Sequence, residues 1–330
     1  MQGYVFRRLL GMVLTIVVAS IISFAAIELP PGSYLSTYRA QLQAMDMTPD
    51  QIEGELAYVE ARFALSQPVY VRYGVWVGGL LRGDLGYSMA LRRPVSELIG
   101  DRMLLTLVLA LASVIFTFVV GVGAGVITAM RPYSVTDNVV TLSTFVFLAV
   151  PNFLLAISAI YFWVTVIGGA PQFGLQSPAY VFEPWSLAKF GDLLAHLWLP
   201  VIIIGASHAA AMLRVVRARM LEVLPDPFVQ TARMKGLRER RIVLVHALRA
   251  AINPVISATA LSLPAVIGGE IITSIVLQLN TIGPLLFEAL MAQDMYLAAT
   301  ILLMLTVILV VANLIADLVI AWLDPRIAHG

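Results

Sequence analysis

Ionisable side chains interrupt apolar runs of this 330-residue chain, among them His208, Glu270 and Asp317. Charge inside hydrocarbon is costly, so such residues face a bundle interior, pair with one another or meet a solute. Glu270 follows Pro264 and the pair Gly268-Gly269, which loosen helical regularity. Loosened backbone is tolerated where it lines a cavity or is covered by protein. Two readings of Glu270 stand open: a pathway acid that meets a polar or cationic solute, or a structural acid bonded between helices. The candidate pathway residues are therefore Asn152, Pro264, Gly268, Gly269 and Glu270. Asn152 belongs here because Pro151-Asn152 is expected to kink its apolar run. His208 reads as a hydrogen bonder in packing. Asp317 and Asn313, one turn apart, read as bonding to neighbouring helices.

Covalent and metal chemistry finds little material. The chain has no cysteine, which excludes disulfides, thiolate metal sites and thiol nucleophiles. His196, His208, His246 and His329 lack ligand spacing, so no metal site is expected. H-E-x-x-H, G-x-S-x-G and the phosphate loop G-x-x-x-x-G-K-[ST] are all missing. The chain is not expected to be an enzyme, and it carries no means of hydrolysing ATP.

The elements that hold these residues are long and apolar. Hydrophobic residues make up 60% of the chain and charged ones 12%, half the share of a soluble domain. A membrane-crossing helix needs about 20 apolar residues. Six runs qualify: 9–27, 103–130, 139–168, 194–213, 252–279 and 295–322. The first is too long for a signal segment and reads as a retained span. The expected fold is an all-α integral membrane protein with six transmembrane helices.

Basic residues in loops set the orientation. With the N-terminus inside, Arg7, Arg8, Arg131, Arg214, Arg217, Arg219, Arg233, Lys235, Arg238, Arg240, Arg241, Arg249 and Arg326 all face the cytoplasm, 13 of 21 basic residues. Few acids accompany them: Asp137, Glu222, Asp226, Glu239 and Asp324. Both termini then lie inside. The division expected is 1–28 as the first span, 29–101 as a helical insertion outside, and 102–330 as the core with five spans and a loop at 218–250.

In the insertion, Thr48-Pro49-Asp50-Gln51 reads as a capping box opening a helix to about Leu65. Arg82 to Ser88, RGDLGYS, reads as a turn. The outside segment 169–192 has three prolines and no periodicity, so an ordered loop is expected. Trp76, Trp163, Trp185, Trp198 and Trp322 are expected at the membrane interfaces.

The most basic stretch is PDPFVQTARMKGLRERRIVLVHALR, from Pro225 to Arg249. Asp226 followed by Pro227 reads as a helix start, and Gly236 suits the position that closes one. A helix over 227–235 is predicted, exposing Phe228, Val229 and Met234 with small Thr231 and Ala232 between them. So short a helix is marginal alone and needs a packing partner. The pattern leaves open whether the stretch only sets topology and closes a loop, or docks another subunit.

This stretch resembles the cytoplasmic loop of ABC importer permeases of the dipeptide/oligopeptide/nickel family, B-type subunit. Gln230-Thr231-Ala232-Arg233-Met234-Lys235-Gly236-Leu237 and then His246-Ala247-Leu248-Arg249 carry the likeness. It extends over nearly the whole chain, through Arg7–Leu10, Pro30–Gly32, GDLGYS, Arg93–Leu107, Val150–Phe153, His196–Pro200, Arg217–Leu224 and Leu323–Ile327. The resemblance implies a second homologous permease, two ABC ATPase subunits or domains, and a solute-binding protein outside. It implies no nucleic-acid partner, and membrane lipid as surroundings. ATP and Mg would be bound by the ATPase partners, with no cofactor in this chain. It places the chain in a bacterial or archaeal cytoplasmic membrane. By the same likeness, Asp226, Pro227, Phe228, Thr231, Ala232, Arg233, Met234, Lys235 and Gly236 form a coupling helix between spans four and five. Phe228, Thr231, Ala232 and Met234 would pack in the ATPase groove, with Arg233 and Lys235 at its rim.

The chain departs from that family at Ala250, at Ser274 and at Asn280-Thr281-Ile282-Gly283. Peptides are the first substrate expected; oligosaccharides, opines and nickel chelates remain alternatives. A secondary transporter using Glu270 is a further alternative, but it has no need of a docking helix, and no internal repeat is visible.

Overall fold

The computed structural model describes residues 2–28, 34–45, 47–63, 65–168, 173–181, 183–252, 255 and 271–323. Regular structure among them is helical, with an isolated antiparallel bridge between Tyr87 and Pro94. The elements are α1 (Gln2–Glu28), α2 (Tyr34–Ala44), α3 (Pro49–Phe63), α4 (Val69–Leu80), α5 (Val95–Met130), α6 (Val135–Ala149) and α7 (Asn152–Phe162). Then follow α8 (Leu187–Val223), α9 (Pro227–Met234), α10 (Glu239–Arg241), α11 (Ile271–Val276), α12 (Ile282–Met291) and α13 (Met295–Leu323). A π-helical turn, Trp163–Ile167, extends α7, and another, Ile242–Ala247, extends α10.

Among the described residues, four helical stretches are long and apolar enough to cross a membrane: Arg8–Glu28, Val95–Met130, Leu187–Val223 and Met295–Ile315. The expected third span takes another form. Helices α6 and α7, with its π-helical turn, meet at 105° rather than forming one kinked rod. Pro151 is the cause, because its ring disfavours the helical region for the residue before it. Val150 sits at φ −90°, ψ 122°. The expected fifth span, 252–279, falls largely outside the described residues, and Pro264, Gly268, Gly269 and Glu270 lie there.

The helices overrun their apolar runs. The 36 residues of α5 reach about 54 Å at 1.5 Å per residue, against about 30 Å of hydrocarbon. Helix α8 begins at Leu187, inside the expected loop, because the Ser186 hydroxyl accepts the Lys189 N–H at 3.2 Å and caps it.

The chain packs into two compact units, each with its own core. The larger comprises Leu105–Asn280 and Val311–Gly330. One apolar cluster there joins Leu105 and Leu109 of α5, Ala156 of α7, Leu193 and Ile204 of α8, and Leu277. A second joins Val122 and Val126 of α5, Met212, Val216 and Met220 of α8, Val229 of α9, and Ile242. The α5–α8 crossing is tight at Gly121 and Gly125. A Cβ at Gly125 would lie 2.7 Å from Val216 Cβ and 2.9 Å from the Leu213 carbonyl oxygen. Only small residues let two backbones come this close.

The smaller unit comprises Gln2–Leu104 and Thr281–Val310. Helices α2, α3 and α4 bury Tyr34, Tyr38, Leu42, Leu56 and Trp76 with Phe24 of α1 and Ala299 of α13. Trp76, expected at an interface, is instead 3% exposed and donates to Thr300 Oγ1 at 3.0 Å. Burial of an indole is stable when its N–H finds an acceptor. At α3 the Thr48 N–H donates to Gln51 Oε1 at 3.0 Å, one half of the expected box. In the RGDLGYS turn, Gly83 and Gly86 take positive φ, and Gly86 N–H donates to Asp84 Oδ1 at 2.9 Å. Ser88 Oγ donates to Asp294 Oδ2 at 2.6 Å, and Ala90 N–H joins it at 3.0 Å. Asp294 Oδ1 in turn accepts the Leu297 N–H at 3.2 Å, so one buried carboxylate ties the turn to the start of α13.

Candidate functional site

Helix α9 begins where the sequence places it. Asp226 is the N-cap residue, at φ −59°, ψ 146°, and Pro227 occupies the first turn. The Asp226 side chain makes no capping bond; its main-chain carbonyl accepts the Val229 and Gln230 N–H groups at 3.0 and 3.1 Å. The C-terminus closes as a Schellman motif. Leu237 N–H donates to Ala232 O at 3.4 Å and Gly236 N–H to Arg233 O at 2.9 Å. Gly236 takes φ +71°, a conformation that costs glycine nothing.

One face of α9 is committed to the chain itself. Val229 and Ala232, three residues apart, are buried among Val216 and Met220 of α8 and Ile242, Val243 and Ala247. Burying Val229 contributes roughly 1.5–3 kcal/mol, which offsets the weakness of so short a helix. This corrects two expectations: Val229 is not exposed, and Ala232 points inward rather than outward. The other face carries Phe228, 45% exposed, Met234, 81% exposed, and exposed Thr231 and Lys235. The Thr231 hydroxyl is already bonded to Pro227 O at 2.8 Å.

Arg233, expected at the ATPase rim, is partly exposed and bonded within the chain. Its Nη2 donates to Glu239 Oε1 at 2.6 Å and its Nε to Oε2 at 3.3 Å. The guanidinium holds the Glu239 carboxyl below the usual carboxylate range, and the carboxylate raises Arg233 in turn. The pair ties the end of α9 to α10.

A second brace fixes α8, which supports α9. Asp137, 2% exposed, receives Arg217 Nε at 2.9 Å, Arg217 Nη2 at 2.8 Å, the Tyr133 N–H at 2.8 Å and the Thr141 hydroxyl at 3.3 Å. Its own N–H donates to the Ser134 side chain at 3.2 Å. Sequence reading counted Asp137 only as a loop acid. The available signal was Ser134-x-x-Asp137, a capping-box pattern opening α6.

Of the expected pathway residues, the described part of the chain contains Asn152 alone, in the first turn of α7 just beyond the α6–α7 break. His208 Nδ1 lies 3.0 Å from Ile204 O of its own helix.

The fold and site define a helical membrane protein that presents a braced, capped helix. The family described as the binding-protein-dependent transport system inner membrane component matches residues 121–329. The oligopeptide transport system permease protein AppB of Bacillus subtilis is 32% identical over 330 residues, covering 100% of both chains. The dipeptide transport system permease protein DppB of Alkalihalophilus pseudofirmus is 30% identical over 341 residues, again covering 100% of both. An inward-facing structure of the MetNI methionine ABC transporter has a TM-score of 0.53 at 18% identity, covering 69% of this chain and 96% of that one. That likeness concerns the fold. The chain belongs to the family of inner membrane components of binding-protein-dependent transport systems.

Proposed function

We propose that this chain is one half of the translocation pathway of an importer, carrying di- or oligopeptides into the cytoplasm on ATP hydrolysed by partner subunits. In this reading six spans place both termini in the cytoplasm, and the insertion 29–101 faces the solute-binding protein outside. A second, homologous permease completes the pathway, with Asn152 and the stretch holding Glu270 on its wall. Helix α9 docks in a groove of an ATPase subunit through Phe228, Thr231, Met234 and Lys235.

The observation that carries the reading is the division of α9 into two faces. Its inner face is already packed by this chain, so the exposed apolar pair Phe228 and Met234 is left for another protein. Large apolar side chains grouped on an otherwise basic loop mark an interaction surface. The names carried by the full-length relatives support peptides as the substrate class.

Affinity purification from the native membrane, followed by mass spectrometry, tests it. Co-purification of a second permease and of P-loop ATPases is expected, with a Met234→Cys cross-link reaching the ATPase. A chain that purifies alone and moves solute without ATP would instead be a secondary transporter. Ligand screening of the binding protein then separates peptides from oligosaccharides, opines and nickel chelates.

A further inference from the structure

Between α6 and α8, within the larger unit, lies a groove of about 610 Å³, inside the range of small-ligand sites at about 300–1,000 Å³. Phe145 and Leu148 of α6 and Ala211, Leu213 and Val215 of α8 make it mostly apolar. Its polar groups are nearly all engaged. Thr144 donates to Thr141 O at 2.6 Å, Thr141 to Asp137 at 3.3 Å, and Arg217 to Asp137 at 2.8 and 2.9 Å. Arg214 differs: it is exposed in the groove and makes no hydrogen bond or ion pair among the described residues. It stands where the apolar run 194–213 ends and the basic stretch of α8 begins.

We infer that this groove holds an anionic phospholipid, with its headgroup phosphate on Arg214 and an acyl chain along Phe145 and Leu148. The inference rests on the orientation proposed above, which puts Arg214 at the cytoplasmic headgroup level. Charge complementarity selects the headgroup: one unpaired guanidinium, flanked by an arginine already neutralised by Asp137, calls for one anion. Guanidinium matches phosphate geometry, and basic pockets between helices on the cytoplasmic side bind lipid headgroups. The wall selects an amphiphile over a polar solute. A peptide would meet no free hydroxyl or amide there, whereas an acyl chain would lie on exposed Phe145, Leu142 and Leu148, which continue the same apolar surface.

The test uses the whole importer complex, incubated with vesicles of phosphatidylcholine containing phosphatidylglycerol, then washed in detergent and read by native mass spectrometry. Wild type is expected to retain phosphatidylglycerol in preference to phosphatidylcholine. Arg214→Gln should lower that retention about fivefold, the worth of one basic residue near an anionic surface. Leu148→Trp, which fills the groove, should lower it independently and serves if Arg214→Gln fails to assemble. Arg219→Gln, whose side chain pairs with Glu222, should retain lipid as wild type does. Equal retention in wild type, Arg214→Gln and Leu148→Trp would overturn the inference. So would a Phe145→Cys cross-link to the second permease or to the transported solute. Loss of the ATPase partners on purification would count against the importer reading alone.

Discussion

Arg217 of α8 closes on Asp137 at the start of α6 through two parallel hydrogen bonds, Nε to Oδ1 at 2.9 Å and Nη2 to Oδ2 at 2.8 Å. The carboxylate side is 3% exposed and the guanidinium side 26%. Removing one partner leaves the other charge buried. Arg217→Ala is therefore expected to cost about 3 kcal/mol, the low end for a broken buried pair because part of Arg217 still meets solvent. The double variant Asp137→Leu, Arg217→Met should recover much of that loss. Thermal unfolding of the purified chain in one detergent checks both.

The α5–α8 crossing makes a sharper test, because it has a built-in control. Gly125→Ala puts a methyl 2.9 Å from the Leu213 carbonyl oxygen, which is backbone and cannot swing aside. Overpacking of this kind costs roughly 1–3 kcal/mol. Gly123, on the same helix two residues earlier, has open space where its Cβ would stand. Gly123→Ala should leave the melting temperature unchanged, and equal effects at the two positions would refute the close approach.

The outward face of α9 should separate coupling from folding. Thr231→Trp and Phe228→Ala change exposed side chains, so expression and melting should hold while ATP-driven uptake falls. Gly236→Pro acts differently: it removes the N–H given to Arg233 O and cannot adopt φ +71°. It should lower uptake and loosen the helix end together. Val229→Asp, by contrast, buries an unpaired carboxylate and should reduce folded protein before any transport assay. Normal uptake in both Thr231→Trp and Phe228→Ala would end the docking reading.

The Arg233–Glu239 pair predicts a small pH effect. Glu239 is depressed in the folded chain, mainly by its hydrogen bond from Arg233. Its contribution is therefore present above the ordinary glutamate value of about 4.3 and is lost as pH falls through the lower folded value. Both side chains are more than a third exposed, so the pair is worth only about 0.2–1 kcal/mol. Hydrogen exchange at the Gly236 and Leu237 amides should be faster in Glu239→Gln than in wild type at neutral pH. The two should converge below the carboxylate range.

Much of this arrangement was legible in short-range pattern. The long helices followed from apolar run length, and α9 from Asp226, Pro227 and Gly236, whose effects act within a few residues. Helix α2 is legible too: Tyr34, Tyr38 and Leu42 recur every four residues, the spacing of one helical face. The break at Pro151 was seen, but not its size. Proline only forbids the helical angle before it, and the angle between the two arms is set by what each packs against.

What the sequence by itself determined, then, is where α9 starts and stops, which runs are apolar enough for a bilayer, and which loops carry positive charge. Those depend on neighbours along the chain. The tertiary structure alone decided which face of α9 turns inward, that Trp76 is buried, and that Gly125 receives Val216. It also decided that Asp137 meets Arg217 and that Ser88 meets Asp294, pairs 80 and 206 residues apart. Burial and long-range pairing depend on which segments fold against one another, and hydrophobic attraction, being non-directional, names no partner in advance.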